Sequence, residues 1–434
     1  MTSRRAFVSS LALTGIGSAI GLPLAEPGAR VSSRPWRQAF PGLSERVNGQ
    51  PLVYLDNAAT THRVRAVLDA EREYYWHANG NPGSSLHTLA RRAGERYEGA
   101  RHTLATFLNA PRPEEVIWCR GTTEAINLVA ASWGGSTLRA GDEILLSVAE
   151  HYSNLLPWQN VARQTGAVLR FIEVEEDGRI LLSQVDRVLS SRTRIISLAH
   201  VSNVFGVVQP IQEICARAHD RGVLVFVDGA QSAPHIPIDV QALGCDFFAL
   251  SAHKMAGPMG IGALWARREL LDAMPPYQLG GGHMAQAVEF TSAQFSQGAD
   301  RFEAGSPNIA GAVGWEAAIR FLTEIGRERI QAYQLQLVRH MLERLTALRR
   351  VAILGATRPD QRVGILCFTI QGMDPAEIAR ALDHRGIAIR AGTLSAAPVL
   401  RKRGHEAVAR ASLYLYNEVE EIDRLADELE RLGA

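Results

Sequence analysis

At 434 residues, 46% hydrophobic and with a formal net charge of +1, the chain carries apolar material for two or three domains' worth of core and no compositional sign of disorder. The near-neutral balance and the lack of a basic stripe argue against nucleic acid as the main partner, and the short cluster Arg401-Lys402-Arg403 reads as a solvated loop. Cys119, Cys215, Cys245 and Cys367 lie far apart without CxxC or metal-ligand spacing, so buried thiols are expected rather than disulfides or a metal centre.

The amino terminus places Ser3-Arg4-Arg5-Ala6-Phe7-Val8 before a mildly apolar, glycine-containing run and then Ala25 and Ala29. An arginine pair, a weakly hydrophobic segment and small residues after it read as a twin-arginine export signal over 1–30, the alternative being a frayed basic tail. That signal implies a periplasmic protein exported already folded, and no other stretch is long and apolar enough to span a membrane.

After a short segment, 31–50, apolar runs alternate with amphipathic stretches, the pattern of parallel strands joined by helices. Strands are expected at 116–119, 143–147, 168–172, 195–199, 224–228, 247–250 and 262–265, and helices at 123–132, 155–165 and 211–221. Right-handed crossovers make this an α/β fold with a mostly parallel seven-stranded sheet in a large domain, 51–310, with ligands gathering at the carboxyl ends of its strands. From residue 311 to 434 the texture changes to a long helical segment over 312–350, strands around 363–370 and 387–391, and helices at 375–385 and 418–432. This reads as a smaller α+β domain.

Arg120-Gly121-Thr122-Thr123-Glu124 follows a strand and opens a helix, where free N–H groups and hydroxyls suit a phosphate. Taken alone, Thr-Thr-Glu is also an ordinary helix cap. The strand ending Val227-Asp228-Gly229-Ala230-Gln231 precedes Ser251-Ala252-His253-Lys254, so an aspartate and a lysine both leave the sheet at strand ends. A lysine able to carry pyridoxal 5′-phosphate (PLP) as a Schiff base, with an aspartate to keep the pyridine nitrogen protonated, is the pairing this cofactor needs. Thr122, Thr123, Ser251 and His253 then form the expected phosphate cup. His151, after the next strand, is placed to stack on the ring, although a lone histidine is more often structural.

Five motifs, Tyr54-Leu55-Asp56-Asn57-Ala58-Ala59-Thr60-Thr61, Arg120 to Asn127, Val227 to Gln231, Ser251 to Lys254 and Arg301-Phe302-Glu303-Ala304-Gly305-Ser306-Pro307-Asn308, occur in the order found in class V aminotransferases. From about residue 50 onward the chain resembles these PLP-dependent transferases of fold type I, and within them the SufS-type cysteine desulfurases. The resemblance implies that Lys254 holds the cofactor and moves protons, Asp228 pairs with the ring nitrogen, Gln231 contacts the ring hydroxyl and His151 stacks on the ring. Asn203 is implied near the substrate and ring oxygen, and Arg410 and Arg390 among the substrate-binding residues, with Arg410 on the α-carboxylate. A guanidinium suits that bidentate contact, the alternative being a surface ion pair. Ser306 is implied to reach the phosphate of a second subunit, hence a homodimer with shared sites.

Two departures shape the functional expectation. Desulfurases of this type carry a nucleophilic cysteine in a loop reading Arg-(Ala/Thr)-Gly-His-His-Cys-Ala-x-Pro. Here it reads Arg390-Ala391-Gly392-Thr393-Leu394-Ser395-Ala396-Ala397-Pro398, and a serine hydroxyl cannot accept sulfur as a thiolate does. Gly83 and Ser84 also stand where a His-Arg pair is usual, which suggests a more open pocket. With the export signal, these departures resemble the periplasmic enzymes of pyoverdine siderophore maturation. The expectation is modification of a glutamyl side chain on that siderophore, towards the succinamide form. The α-ketoglutaryl form by transamination, or C–S lyase or epimerase action on a small amino acid, are alternatives. On Ser395, desulfurase activity is disfavoured.

Overall fold

The computed structural model describes residues 34–82 and 86–433. Its main sheet runs in the spatial order Val116–Cys119, Gly262–Ala266, Phe247–Ser251, Leu224–Asp228, Thr193–Ala199, Glu143–Ser147 and Val168–Ile172. Neighbours are parallel from Phe247–Ser251 across to Val168–Ile172, and Gly262–Ala266 is antiparallel to both of its own neighbours. Parallel neighbours need crossovers. Tyr152–Thr165 connects Glu143–Ser147 to Val168–Ile172, and Ile211–His219 connects Thr193–Ala199 to Leu224–Asp228. Every residue of Glu143–Ser147, Phe247–Ser251 and Gly262–Ala266 is buried, which is why these strands read as continuous apolar runs instead of alternating ones. The α/β sheet expected from the sequence is the one observed.

Two close approaches explain glycines at the ligand end of the sheet. A Cβ on Gly229, directly after Asp228, would collide with the Phe248 ring. One on Gly262 would lie 2.5 Å from Gly121 Cα, at the turn that opens the helix Thr122–Val129. Both positions let the chain hug the sheet where Asp228 and Thr122 emerge.

The C-terminal part departs from the sequence expectation in detail. The long helical segment over 312–350 is two helices, Ile309–Ile325 and Arg327–Thr346, because Gly326 takes φ 93° and ψ 122° between them. Asn308 starts the first by accepting the Gly311 N–H at 2.9 Å, and this helix packs against Arg65–His77 and Thr88–Leu108. A four-stranded antiparallel sheet follows, in the order Val351–Leu354, Ile365–Ile370, Val408–Ser412, Arg390–Gly392. Val408–Ser412 is not among the strands expected from the sequence: its residues are all buried and short except Arg410, so no alternation marks it. Next to this small sheet, Ile387–Ala388 pairs in parallel with Val53–Tyr54 as a separate two-stranded sheet, and Asp56 bridges to Ser412 of the small sheet itself, so the amino-terminal motif meets it directly. Among the described residues no helix is long and apolar enough to cross a membrane.

A buried ion pair ties the Arg301-to-Asn308 motif to the sheet. Arg101 is 2% exposed and donates to Glu303 from Nη1 at 2.7 Å and Nη2 at 3.0 Å, and to the Val116 carbonyl. Glu303 also accepts the Trp118 N–H at 2.7 Å and the Tyr97 hydroxyl at 2.9 Å. Replacing one partner of such a pair strands the other charge. Arg101→Ala is therefore expected to cost about 3–5 kcal/mol in a chemical denaturation series, and an unchanged midpoint would contradict this reading.

Candidate active site

The parallel strands deliver their functional side chains to one end. Asp228 is the last residue of Leu224–Asp228, and Ser251 closes Phe247–Ser251 before the single turn Ala252–Lys254. His151 precedes Tyr152–Thr165 and caps it, its Nδ1 accepting the Ser153 N–H at 3.1 Å. Thr122 and Thr123 open their helix after Val116–Cys119, and Asn203 lies beyond Thr193–Ala199. The small sheet adds Arg410 and Arg390. Together these residues, with Gln231 and His253, line a cavity of about 330 Å³. Ser306 is not among them. It lies in a separate cleft of about 310 Å³ with Arg120, Glu124 and Tyr277, and accepts a hydrogen bond from Asn81.

One wall is a nest of hydroxyls and N–H groups. The Thr122 N–H donates to Ser251 Oγ at 2.8 Å, the Thr122 and Ser251 hydroxyls are 2.8 Å apart, and Thr123 Oγ1 lies 2.7 Å from Ser153 Oγ. Ser153, not singled out from the sequence, thus belongs to the cavity; its place in the first turn after His151 was the available signal. Asp228, which also lines the cavity, is 5% exposed and accepts the Ala230 N–H at 2.9 Å. Burial raises its carboxyl pKa, against the pull of that N–H and of Lys254. Burial also lowers the Lys254 amine to about 8, with Asp228 opposing and Arg410 reinforcing the shift. The imidazoles of His151 and His253 are brought down to about 4, first by burial and then by Lys254, so both are neutral at pH 7.

The cavity's polar groups are incompletely satisfied by the protein itself. Gln231 donates to the Ala58 carbonyl at 2.8 Å, but its Oε1 is buried without a partner, as are His253 Nδ1 and Arg410 Nε. Buried polar atoms without partners cost on the order of 1–3 kcal/mol each, so a polar, anionic ligand fits this cavity. An acceptor at Gln231, a buried aspartate, a lysine with a lowered pKa and a hydroxyl nest are the donor set that PLP's ring hydroxyl, ring nitrogen, aldehyde and phosphate require.

The loop after Arg390 closes over the cavity. Leu394 and Ser395 both take left-handed backbone angles, φ 53° and 55°, costing on the order of 1–2 kcal/mol each. Two hydrogen bonds hold them there: Asn203 Nδ2 donates to the Leu394 carbonyl and the Tyr152 N–H to the Ser395 carbonyl, each at 2.8 Å. Asn203 therefore braces the loop as well as lining the cavity. Leu394, also unassigned from sequence, is 8% exposed and presents an apolar wall. All four cysteines are buried and none lines the cavity. Cys367 sits opposite Arg410 in the small sheet, but burial pushes its thiol up to about 12, so it supplies no thiolate in place of Ser395. The Arg4-Arg5 segment and the Gly83–Ser85 opening expected from the sequence lie outside the described residues.

The fold and this cavity define a PLP-dependent enzyme. The family model for class-V aminotransferases matches residues 53–425, and the chain belongs to that family. It is similar to a probable cysteine desulfurase of Halalkalibacterium halodurans, 46% identical over 91% of this chain and 96% of the relative. It is also similar to a cysteine desulfurase of Klebsiella pneumoniae, 44% identical over 91% of this chain and 97% of the other. Among solved structures, the cysteine desulfurase CsdA of Escherichia coli, in an S-sulfonic acid form, superposes with a TM-score of 0.85 at 36% identity, over 92% of this chain and 98% of that one. A C-DES variant solved with glycine covalently linked to its PLP cofactor shares the fold, with a TM-score of 0.79 at 24% identity, over 91% of this chain and 98% of that one.

These likenesses correct three expectations. Siderophore modification and periplasmic location are not supported, because relatives at 43–46% identity are named cysteine desulfurases. Setting desulfurase chemistry aside on Ser395 alone fails for the same reason. A single hydroxyl-for-thiol difference says what residue 395 cannot do, whereas likeness over nine-tenths of the chain bears on what the cavity binds.

Attachment of an aldehyde needs the neutral lysine. With the Lys254 amine near 8 instead of the ordinary 10.5, the rate at which PLP-free protein takes up added PLP should rise with pH and level off above about 8. A rise that continues to pH 10 would contradict the burial of that amine.

Proposed function

We propose that the protein breaks the Cβ–S bond of cysteine or a closely similar α-amino acid, and that a thiol from outside its own loop takes the sulfur. The observation that carries this reading is the convergence of Lys254 and Arg410 on one cavity whose loop offers a hydroxyl, Ser395, where the resemblance to SufS-type desulfurases implies a thiol. The similarity to cysteine desulfurases supports the substrate class, and the burial of every cysteine away from the cavity supports the external acceptor. In balance, cysteine and an acceptor thiol give alanine and the acceptor persulfide.

PLP, when bound, supplies an electron sink for the carbanion at the substrate Cα. Lys254, with its lowered pKa, is the group that takes and returns the proton at that carbon. Arg410 holds the α-carboxylate and so orients the Cα–H bond. Asp228 keeps a negative charge for the protonated ring nitrogen, Gln231 takes the ring hydroxyl, and neutral His151 covers the ring. Thr122, Thr123, Ser251 and His253 hold the phosphate. Leu394 and the braced loop limit water near the reacting atoms.

The test is PLP-loaded protein with L-cysteine, with and without added glutathione, measuring alanine and glutathione persulfide. Alanine is expected to form in step with persulfide, on glutathione or on a second cysteine, and faster with the added thiol, with Ser395→Ala retaining the rate to within about twofold. The reading also has two copies of the chain share each site through Ser306, so activity is expected in the fraction that sediments as a dimer. No alanine under any thiol, or loss of activity in Ser395→Ala, would overturn it.

A further inference from the structure

Arg390 and Arg410 face one another directly across neighbouring antiparallel strands. Like charges in that position repel, and the two guanidiniums differ in setting: Arg410 is 3% exposed, whereas the Arg390 side chain is 48% exposed. Asp56 stands between them. Its carboxylate accepts from Arg390 Nη2 at 2.8 Å and from Arg390 Nε at 3.1 and 3.2 Å, and Arg410 Nη2 lies 3.4 Å from Oδ1. The backbone bridge from Asp56 to Ser412, two residues beyond Arg410, fixes the carboxylate at this point.

Arg410 spends little of its donor capacity on the protein. Nη1 donates to the Asn203 carbonyl at 3.2 Å, Nη2 makes only the long contact to Asp56, and Nε is buried without a partner. Two arginines and one carboxylate leave one net positive charge at the cavity wall. That is enough for a single substrate carboxylate. Asp56 itself does not line the cavity, so whatever it does for the substrate it does through the two arginines.

We propose that Asp56 is a specificity-determining positioning residue that leaves the Arg390–Arg410 pair one unspent positive charge, so that the site takes α-amino acids with one carboxylate and disfavours those with two. The proposal rests on the reading of Arg410 as the α-carboxylate grip. Neutralising Asp56 would free a second charge, on Arg390, for a side-chain carboxylate. Removing Arg390 while Asp56 remains would leave no net charge for any carboxylate.

The test is spectral titration of PLP-loaded protein with alanine and with aspartate, which gives dissociation constants without requiring turnover. Asp56→Asn is expected to shift the aspartate-to-alanine affinity ratio toward aspartate by about tenfold or more. Arg390→Gln is expected to weaken alanine binding about tenfold, and the double variant Asp56→Asn with Arg390→Gln to restore it to within about threefold of the parent. The restoration is a gain that a merely structural defect would not give, and it stays readable if Asp56→Asn alone folds poorly. An unchanged ratio in Asp56→Asn, or a double variant as weak as Arg390→Gln, would overturn the proposal. Arg410→Met separates the two levels: alanine binding unchanged in that variant would mean that the carboxylate grip itself was misassigned.

Discussion

Desolvation at the carboxyl ends of the parallel strands governs this site. Asp228 and Lys254 leave adjacent strands into one cavity, and burial displaces each from its ordinary titration, the carboxyl upward and the amine downward. An isolated charge there is costly, and the two groups partly answer one another. The sheet supplies the means. Its central strands are buried on both faces, and Gly229 and Gly262 let the chain run close enough to bring the aspartate and the hydroxyl nest to the same cavity.

The small sheet works by a complementary principle. It places a nearly fully buried guanidinium on the cavity wall and leaves part of its donor set open, while Asn203 and Tyr152 pin the covering loop through backbone carbonyls. Unsatisfied donors are tolerated where a ligand completes them. The left-handed angles at Leu394 and Ser395 fit the same pattern, strain held in place by the groups around the site.

Much of this was legible in the sequence, and the limits are physical. Most of the main strands are legible as apolar runs because both faces are buried, the edge strand Val168–Ile172 being the exposed exception, and Asp228 and Lys254 are readable because each follows such a run within small residues. Arg410 was placed only by resemblance, since a five-residue strand of buried short side chains has no periodicity to read. Ser153, Leu394 and Asp56 escaped because their roles come from tertiary neighbours: a hydroxyl facing Thr123, a backbone angle fixed by Asn203, a carboxylate lying between two arginines distant in the chain. The break at Gly326 shows the same limit, because helical composition continued on both sides of the residue that turned the chain. Function is the least legible layer: serine at 395 is a local difference that points away from cysteine desulfurases, whereas the likeness to them runs over nine-tenths of the chain.

The most direct test of the account is to reduce the PLP-loaded protein with borohydride and map the labelled peptide. One pyridoxyl group is expected, on Lys254, in the peptide that follows Phe247–Ser251, with clearly diminished labelling in Asp228→Ala under conditions where the protein remains folded, because the protonated ring nitrogen would lose its charged partner and the cofactor its hold. A label on another lysine, or undiminished labelling in Asp228→Ala, would contradict the claim that the buried pair at the strand ends creates the site.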